Sequence, residues 1–505
     1  GTLNVIIGGL AGDALTTGSN NVAIGYAALS TEDAHGKNIA IGASALLSLN
    51  AGADAYNVAI GDQAGKLLST GTENVLIGGI AGDALTTGVN NVAVGHSALG
   101  QEDTGNYNTA IGHKSLATLN YDGDGYNTAI GYRSGVAMTT GINNTIIGGL
   151  AGDALTTSGA NVAVGYQALS TEDTTGGVTA IGYQALKTQN ASSTSYNVAV
   201  GYQAGKEVTT GIQNTIVGGN AGDALTTGEK NVAIGYAALG TEDTGSRNIA
   251  IGNAALFSLN YDGTGYNVAI GHTAGYAITT GIDNVIIGGL AGDSLTVGEN
   301  NTVVGRSALG ACVDGDNNVA VGRNALLVYE GGDGEGGNVG VGRDAGKALS
   351  TGQLNTMLGH LAGDAITTGS GNTIIGRSAA ASAVDVNNEI TLGDSNITAL
   401  RCQVTSISSL SDKRDKKDIK DSTYGLDFVD SLKPVTFEWD QRDGNRSGVK
   451  DVGFIAQDLQ KVDDEYTRLV YESNPDKLEA TYGRLIPIMA KAIQELSAEV
   501  KELKK

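Results

Sequence analysis

Proline, phenylalanine, methionine, cysteine and tryptophan are all scarce. The 505 residues hold 3 Pro, 4 Phe, 3 Met, 2 Cys and 1 Trp. Two cysteines, Cys312 and Cys402, make no disulfide framework and read as ordinary small apolar positions. Basic residues are few as well: 31 Lys+Arg stand against 53 Asp+Glu, net −22. Phosphate contacts need Lys and Arg, so no nucleic-acid partner is expected. No stretch approaches the roughly 18 apolar residues of a spanning helix, and no signal peptide opens the chain, so no membrane insertion is expected.

The scarce residues are not evenly placed. Pro434, Pro475, Pro487 and Trp439 all follow residue 410, as do all the phenylalanines but Phe257. Of 77 glycines, 72 come before residue 411. The last 95 residues carry 17 basic and 20 acidic side chains, leaving 14 and 33 for residues 1–410. A long, acidic, glycine-rich and proline-free segment therefore precedes a short domain of ordinary composition.

The long segment is a repeat. Asn4-Val5-Ile6-Ile7-Gly8 recurs from Asn21, Asn38, Asn57 and Asn74 onward to Asn355 and Asn372, 22 copies in all. Spacings of 17, 17, 19 and 17 sum to a superperiod of 70, visible at Asn4, Asn74, Asn144, Asn214 and Asn284. The first position is Asn except at Val178; the second is β-branched, the fourth Ile, Val or Leu, and the fifth Gly in every copy. Period-2 alternation over about five residues predicts a strand. The closing glycine marks a bend with positive φ or a close approach. A repeat of 17 residues is expected to hold two short strands and two bends, one turn of a coil. Stacked turns would bury one continuous core, with Asn forming a side-chain ladder. At ~4.8 Å per stacked strand, the 22 copies predict a rod of about 105 Å. So thin a coil has little core, which asks for several chains side by side. The repeated Asn-Val-Ala-Ile-Gly, as at Asn21–Gly25 and Asn231–Gly235, resembles the head repeats of trimeric autotransporter adhesins. That resemblance implies a parallel β-roll in a homotrimer.

Several repeated residues invite a functional reading. Thr31–Asp33, Thr171–Asp173, Thr241–Asp243 and the equivalent Gln101–Asp103 carry paired carboxylates. Because they follow the superperiod, they read as a solvated acidic stripe rather than a glycosidase pair. Asp13, Asp83, Asp153, Asp223, Asp293 and Asp364 read as turn residues binding their own backbone. His35, His96, His113, His272 and His360 have no metal-ligand spacing and read as surface or turn positions; no metal and no cofactor is expected. Tyr26, Tyr132, Tyr166, Tyr183, Tyr202 and Tyr236 each follow the fifth-position glycine and predict an aromatic row, with sugar binding as a lesser reading.

The repeat ends near residue 386, residues 387–410 read as a β neck or linker, and residues 411–505 as a separate domain. The run Ser411-Asp412-Lys413-Arg414-Asp415-Lys416-Lys417-Asp418-Ile419 opens it. Gly453-Phe454-Ile455-Ala456-Gln457 follows, and a helix is predicted over about 486–505. There Met489, Ile493, Leu496, Val500 and Leu503 make a short heptad seam. No histidine follows His360, so the hydroxyl nucleophile open to this domain is a Ser-Lys dyad, Ser411 with Lys416, against the plainer reading of a solvated charged linker. Lys416 would need a lowered pKa from burial or a neighbouring cation, Arg414 or Lys417.

Three separated motifs, Ser411 to Ile419, Gly453–Gln457 and Lys491–Leu496, resemble in order the intramolecular chaperone domain of phage tail fibres and tail spikes, the endosialidase-type peptidase S74 family. The resemblance implies a mainly β fold: a homotrimeric solenoid rod of 17–20-residue repeats over 1–386 and a small α+β chaperone domain ending in a short coiled coil. It implies a virion tail fibre that trimerises, folds in register and cuts itself beside Ser411, at Leu410–Ser411 or Ser411–Asp412. Its partners would be a host-surface receptor, a glycan among the candidates, and other tail proteins joined upstream of Gly1, where the chain opens in mid-pattern. A bacterial surface adhesin with the same rod is the alternative, set back by a Lys-rich helical end where an anchor barrel would stand. A glycan-degrading spike ranks below both.

Overall fold

The structure, a computed structural model, describes residues 1–331, 336–397, 399–401, 403, 411–441, 447–472, 476 and 478–505. Cys402 and Leu410 lie outside the described residues. The chain divides into two compact units between Ala320 and Val321.

Twenty-three three-residue strands, β1 (Val5–Ile7) to β23 (Ile390–Leu392), mark the turns of a parallel β-solenoid. In the first unit β1 pairs in parallel with β2 (Val22–Ile24), placing Val5 on Val22, Ile6 on Ala23 and Ile7 on Ile24, and this register is kept from turn to turn. In the second unit β20 (Val339–Val341), β21 (Thr356–Leu358), β22 (Thr373–Ile375) and β23 continue the pattern. The last strand has no Asn-initiated repeat of its own; it falls in the segment read as a neck.

Each turn carries one strand, not the two expected. The rest of the turn is too tightly coiled to extend, because alternate residues sit in the left-handed region: Ala27 at φ 53° and Leu29 at φ 52°. That conformation costs an ordinary L-residue about 1–2 kcal/mol, offset by burying the Leu29 side chain completely. Turn-to-turn bonds hold the coil: Leu29 N donates to Ala45 O at 2.9 Å and Leu46 N to Ala64 O at 3.0 Å.

From β2 to β22 the middle residue of every strand is buried, while the second and fourth repeat positions stay half-buried or exposed. Ala23 is buried between half-buried Val22 and Ile24. The superperiod of 70 has a packing cause. Every fourth turn puts a large residue at the strand centre, Leu76, Ile146, Ile216 or Ile286, and faces it with glycine. A Cβ on Gly82 would stand 2.8 Å from Leu76 Cδ2. Two of the three alanine-centred turns in each superperiod place a leucine such as Leu46 or Leu99 opposite instead; the third, such as that of Ala59, keeps a glycine, because a Cβ on Gly65 would stand 2.7 Å from Leu76 Cδ1 of the next turn. The fifth-position glycine is obligatory: Gly25 has φ 136°, and a Cβ there would lie 2.4 Å from the Gly42 carbonyl oxygen.

Fully buried asparagines form the expected ladder. Asn38 N donates to Asn21 Oδ1 at 3.0 Å, and Asn74 Nδ2 donates to Gly88 O at 2.8 Å. Where Val178 breaks the row, Gln189 Oε1 accepts from Asn197 Nδ2 at 2.8 Å.

The acidic stripe is a correction. Glu32, Glu102, Glu172 and Glu242 are buried, not solvated. Each braces two turns: Glu102 accepts from Gly105 N at 2.7 Å and Tyr121 N at 3.2 Å, and Glu242 from Gly245 N at 2.6 Å and Tyr261 N at 3.3 Å. Two carboxylate oxygens satisfy loop amides that no strand pairs, which offsets part of the desolvation.

The last part of the second unit is α+β. Helix α1 (Leu426–Ser431) packs on α3 (Leu485–Leu503), and Leu426 N donates to Glu495 Oε2 at 2.7 Å. Strands β24 (Val435–Asp440) and β25 (Ser447–Gly453) pair antiparallel, as do β26 (Val470–Tyr471) and β27 (Glu479–Ala480); α2 (Ala456–Leu459) lies between the pairs in sequence. Leu459, Leu469, Val470, Leu485 and Ile488 form its core. Among the described residues no helix is long and apolar enough to cross a membrane.

Candidate functional site

Ser411 opens the described part of the last domain. Asp412 caps a single 3₁₀ turn, Lys413–Asp415, by accepting from Arg414 N at 2.8 Å. The turn closes with Lys416 N donating to Lys413 O at 3.2 Å, and Lys416 leaves it extended. This fold-back brings residues five apart together: Lys416 Nζ stands 2.5 Å from Ser411 Oγ and 3.4 Å from Ser411 O. A base within hydrogen-bond reach of a hydroxyl is the geometry of an activated nucleophile.

Arg414 does something other than expected. Its guanidinium grips Asp412, with Nη2 at 2.6 Å and Nε at 3.1 Å from Oδ2. The Arg414 side chain and its backbone N–H hold the Asp412 carboxyl below the ordinary carboxylate range, and the carboxylate in turn raises Arg414. Arg414 is thus engaged with Asp412 rather than free to act on Lys416. Ser411 and Lys416 are both exposed.

The other residues singled out in the sequence are dispersed through the solenoid. Glu32, Asp33 and His35 bring one ligand atom each within 4.8 Å of one another. Glu32 spends its oxygens on His35 N and Ala51 N, at 3.0 and 3.2 Å. Asp83, Asp153, Asp223 and Asp293 each turn back on their own backbone N–H, and partial burial raises all four. Cys312 is buried, which pushes its thiol up to about 12. The tyrosine row is real: Tyr166, Tyr183 and Tyr202 stack at 5.8 and 5.2 Å between ring centres, and His96, His113 and Tyr132 at 5.6 Å each.

Sequence reading missed a second polar knot, between Tyr424 and Asp464, residues 40 apart. Their hydrogen bond pushes the phenol up to about 12 and the carboxyl down to about 2. No local pattern announces such a pair.

Residues 411–470 match the family model described as the chaperone of endosialidase, Peptidase_S74. No curated protein and no solved structure matches the chain. The match begins at the serine whose hydroxyl meets Lys416 and takes in the core residues Leu459, Leu469 and Val470, so the segment that follows the parallel β-solenoid in the sequence is similar to the chaperone of endosialidase.

Proposed function

We propose that this protein is a trimeric viral tail fibre whose solenoid recognises a host surface and whose last domain assembles three chains and then cuts itself off. The observation that carries the reading is the Ser411 Oγ–Lys416 Nζ contact at the head of the chaperone match. Two unpartnered apolar faces support assembly. One is the outward Val, Ile and Thr side of the strands; the other is the α3 seam, with Met489, Ile493, Leu496, Val500 and Leu503 all exposed. A seam of two heptads is too short to stand alone, but it sets three chains level before the repeats pair. Near-identical turns specify register weakly, so a clamp removes the hazard of slipped partners.

Cleavage follows assembly because an exposed lysine is protonated and a poor base. Packing of the chains around Ser411 would desolvate Lys416 and favour its neutral form. Oγ then attacks the Leu410 carbonyl carbon while Lys416 takes the hydroxyl proton. The C–N bond to Ser411 breaks, its nitrogen recovers the proton from Lys416, and water hydrolyses the resulting ester. Attack on Ser411's own carbonyl would close a four-membered ring, which places the cut at Leu410–Ser411. Denaturing gels of wild type, Ser411→Ala and Lys416→Ala test this. Wild type should release a fragment of 95 residues, 411–505. Both variants should stay full-length and, by sedimentation, trimeric. Release from Ser411→Ala would sink the dyad, and a monomer at micromolar concentration would sink the fibre.

A further inference from the structure

The aromatic row is interrupted at regular intervals by glycines that the backbone does not require. Tyr132, Gly149 and Tyr166 occupy the same place on three consecutive turns, with Leu150 N donating to Tyr132 O at 2.9 Å and Gln167 N to Gly149 O at 3.1 Å. Tyr202, Gly219 and Tyr236 repeat the arrangement, Asn220 N donating to Tyr202 O and Ala237 N to Gly219 O. Gly148 and Gly218 next to them are obligatory, since a Cβ on either would meet a carbonyl oxygen at 2.4 Å at positive φ. Gly149 and Gly219 are different. Neither has positive φ, and a Cβ would make ordinary contacts, 3.6 Å to Tyr166 and 3.7 Å to Tyr236. A side chain fits there, yet none is present, and the space between two rings stays open.

Each opening is a slot with a glycine floor and a tyrosine on either side. The walls are two strand spacings apart, roughly 9.6 Å. A single flat ring would leave that gap loosely filled, but a puckered pyranose, with axial and equatorial C–H groups on both faces, spans it. Among the described residues, the ring faces that look into the slots have no other aromatic partner: the stacks run the other way, from Tyr132 to His113 and from Tyr166 to Tyr183. Tyr132 and Tyr202, at the ends of their stacks, are 54% and 55% exposed against 42% for the middle Tyr183. Gln167 and Gln203 follow Tyr166 and Tyr202 in the sequence and both bond Gln184, which donates to Gln167 Oε1 at 2.8 Å and accepts from Gln203 Nε2 at 3.1 Å; the remaining Gln167 amide hydrogens and Gln203 carbonyl are groups a sugar hydroxyl can pair with. With 33 acidic against 14 basic side chains before residue 411, the solenoid repels anionic polymers.

We infer that the slots at Gly149 and Gly219 each sandwich one pyranose ring of a neutral polysaccharide. Resting on the host-recognition reading, this names its ligand class and its place. The two slots are four turns apart, about 19 Å along the coil, so one extended chain can enter both and gain avidity.

The test is affinity gel electrophoresis of the full-length expressed protein in gels containing dextran, yeast mannan or arabinogalactan, with dextran sulfate as the anionic control. At least one neutral polymer should retard the wild type, and dextran sulfate should not. Tyr132→Ala with Tyr202→Ala removes a wall from each slot, and Gly149→Ile with Gly219→Ile fills both. Each pair should weaken retardation about tenfold or more, the scale of one lost ring-stacking contact, with the unfolding temperature unchanged. Gly149→Ala with Gly219→Ala is the milder filling if the isoleucines disturb folding. Retardation unchanged in all variants, or absent for every neutral polymer, overturns the slots. Adsorption of fluorescent protein to a panel of bacterial strains separates the two readings. Adsorption that survives the fillings leaves host recognition standing without the slots; a wild type that adsorbs to no strain and binds no polymer removes both.

Discussion

Ser411, Asp412, Arg414 and Lys416 divide their labour within one 3₁₀ turn. The turn sets the distance, and Arg414 absorbs the charge of Asp412. Removing Arg414 leaves the Asp412 carboxylate unpaired four residues before Lys416 in the sequence, which would favour the protonated amine. Arg414→Ala is therefore expected to slow self-cleavage at neutral pH severalfold and to recover as pH rises. Pulse-chase gels across pH 6–9 check this; a defect that ignores pH would mean Arg414 only shapes the turn. The residue types of this site were legible from the order Ser-Asp-x-Arg-x-Lys. The pairing of Arg414 with Asp412 was not, because the spacing serves a cation aimed at Lys416 equally well.

Among elements, α3 shows what one chain leaves undone. Leu485, Ile488 and Ala492 face the domain core, while Ile493 is 67% and Leu503 87% exposed. Ile493→Asp with Leu496→Asp should leave the domain folded, since neither side chain reaches that core, and abolish trimers. Sedimentation of the Ser411→Ala background gives the readout, and a trimer surviving both charges would move the assembly interface elsewhere. The solenoid strands make the complementary case. Ile146 is buried at a strand centre, and Ile146→Ala should cost about 2–5 kcal/mol, whereas Ile147→Ala, on the half-exposed outer face, should cost less in one chain and be felt in assembly. Thermal unfolding of the two variants separates them.

At the scale of the molecule, the two parts should answer acid in opposite senses. Burial raises Glu102, Glu242, Asp83, Asp153, Asp223 and Asp293 in the solenoid, outnumbering Asp54 and Asp344, which side-chain bonds to Lys37 and Arg343 lower. A raised folded pKa means that the folded form holds extra protons. Its stabilisation is full below the unfolded carboxylate pKa and is lost as pH climbs through the folded one. In the chaperone domain Asp412, Asp458, Asp463 and Glu495 are lowered and Asp464 falls to about 2, all held by hydrogen bonds or cations. Their stabilisation is present above the unfolded value and lost as pH falls through the folded one. Calorimetry of the uncleaved Ser411→Ala chain at pH 4 and pH 7 should show the solenoid transition rising on acidification while the helix-bearing domain falls. Parallel shifts would refute the assignment.

The sequence by itself determined the coil, the ladder and the order of residues that brings Ser411 and Lys416 together. A repeat of Asn, β-branched residue and Gly leaves the backbone few options, and Gly25 confirms it, since no L-residue fits beside the Gly42 carbonyl. Only the tertiary structure decided which way side chains face. Period-2 alternation is symmetric: it sorts residues onto two faces without saying which is inside. The small middle residue, Ala23 rather than Val22 or Ile24, went in because a 17-residue turn encloses too little volume for two β-branched side chains. Glu102 and Glu242 went in for a related reason: the loop amides they satisfy come from different turns, 3 and 19 residues away, and only the stacked coil brings them to one carboxylate.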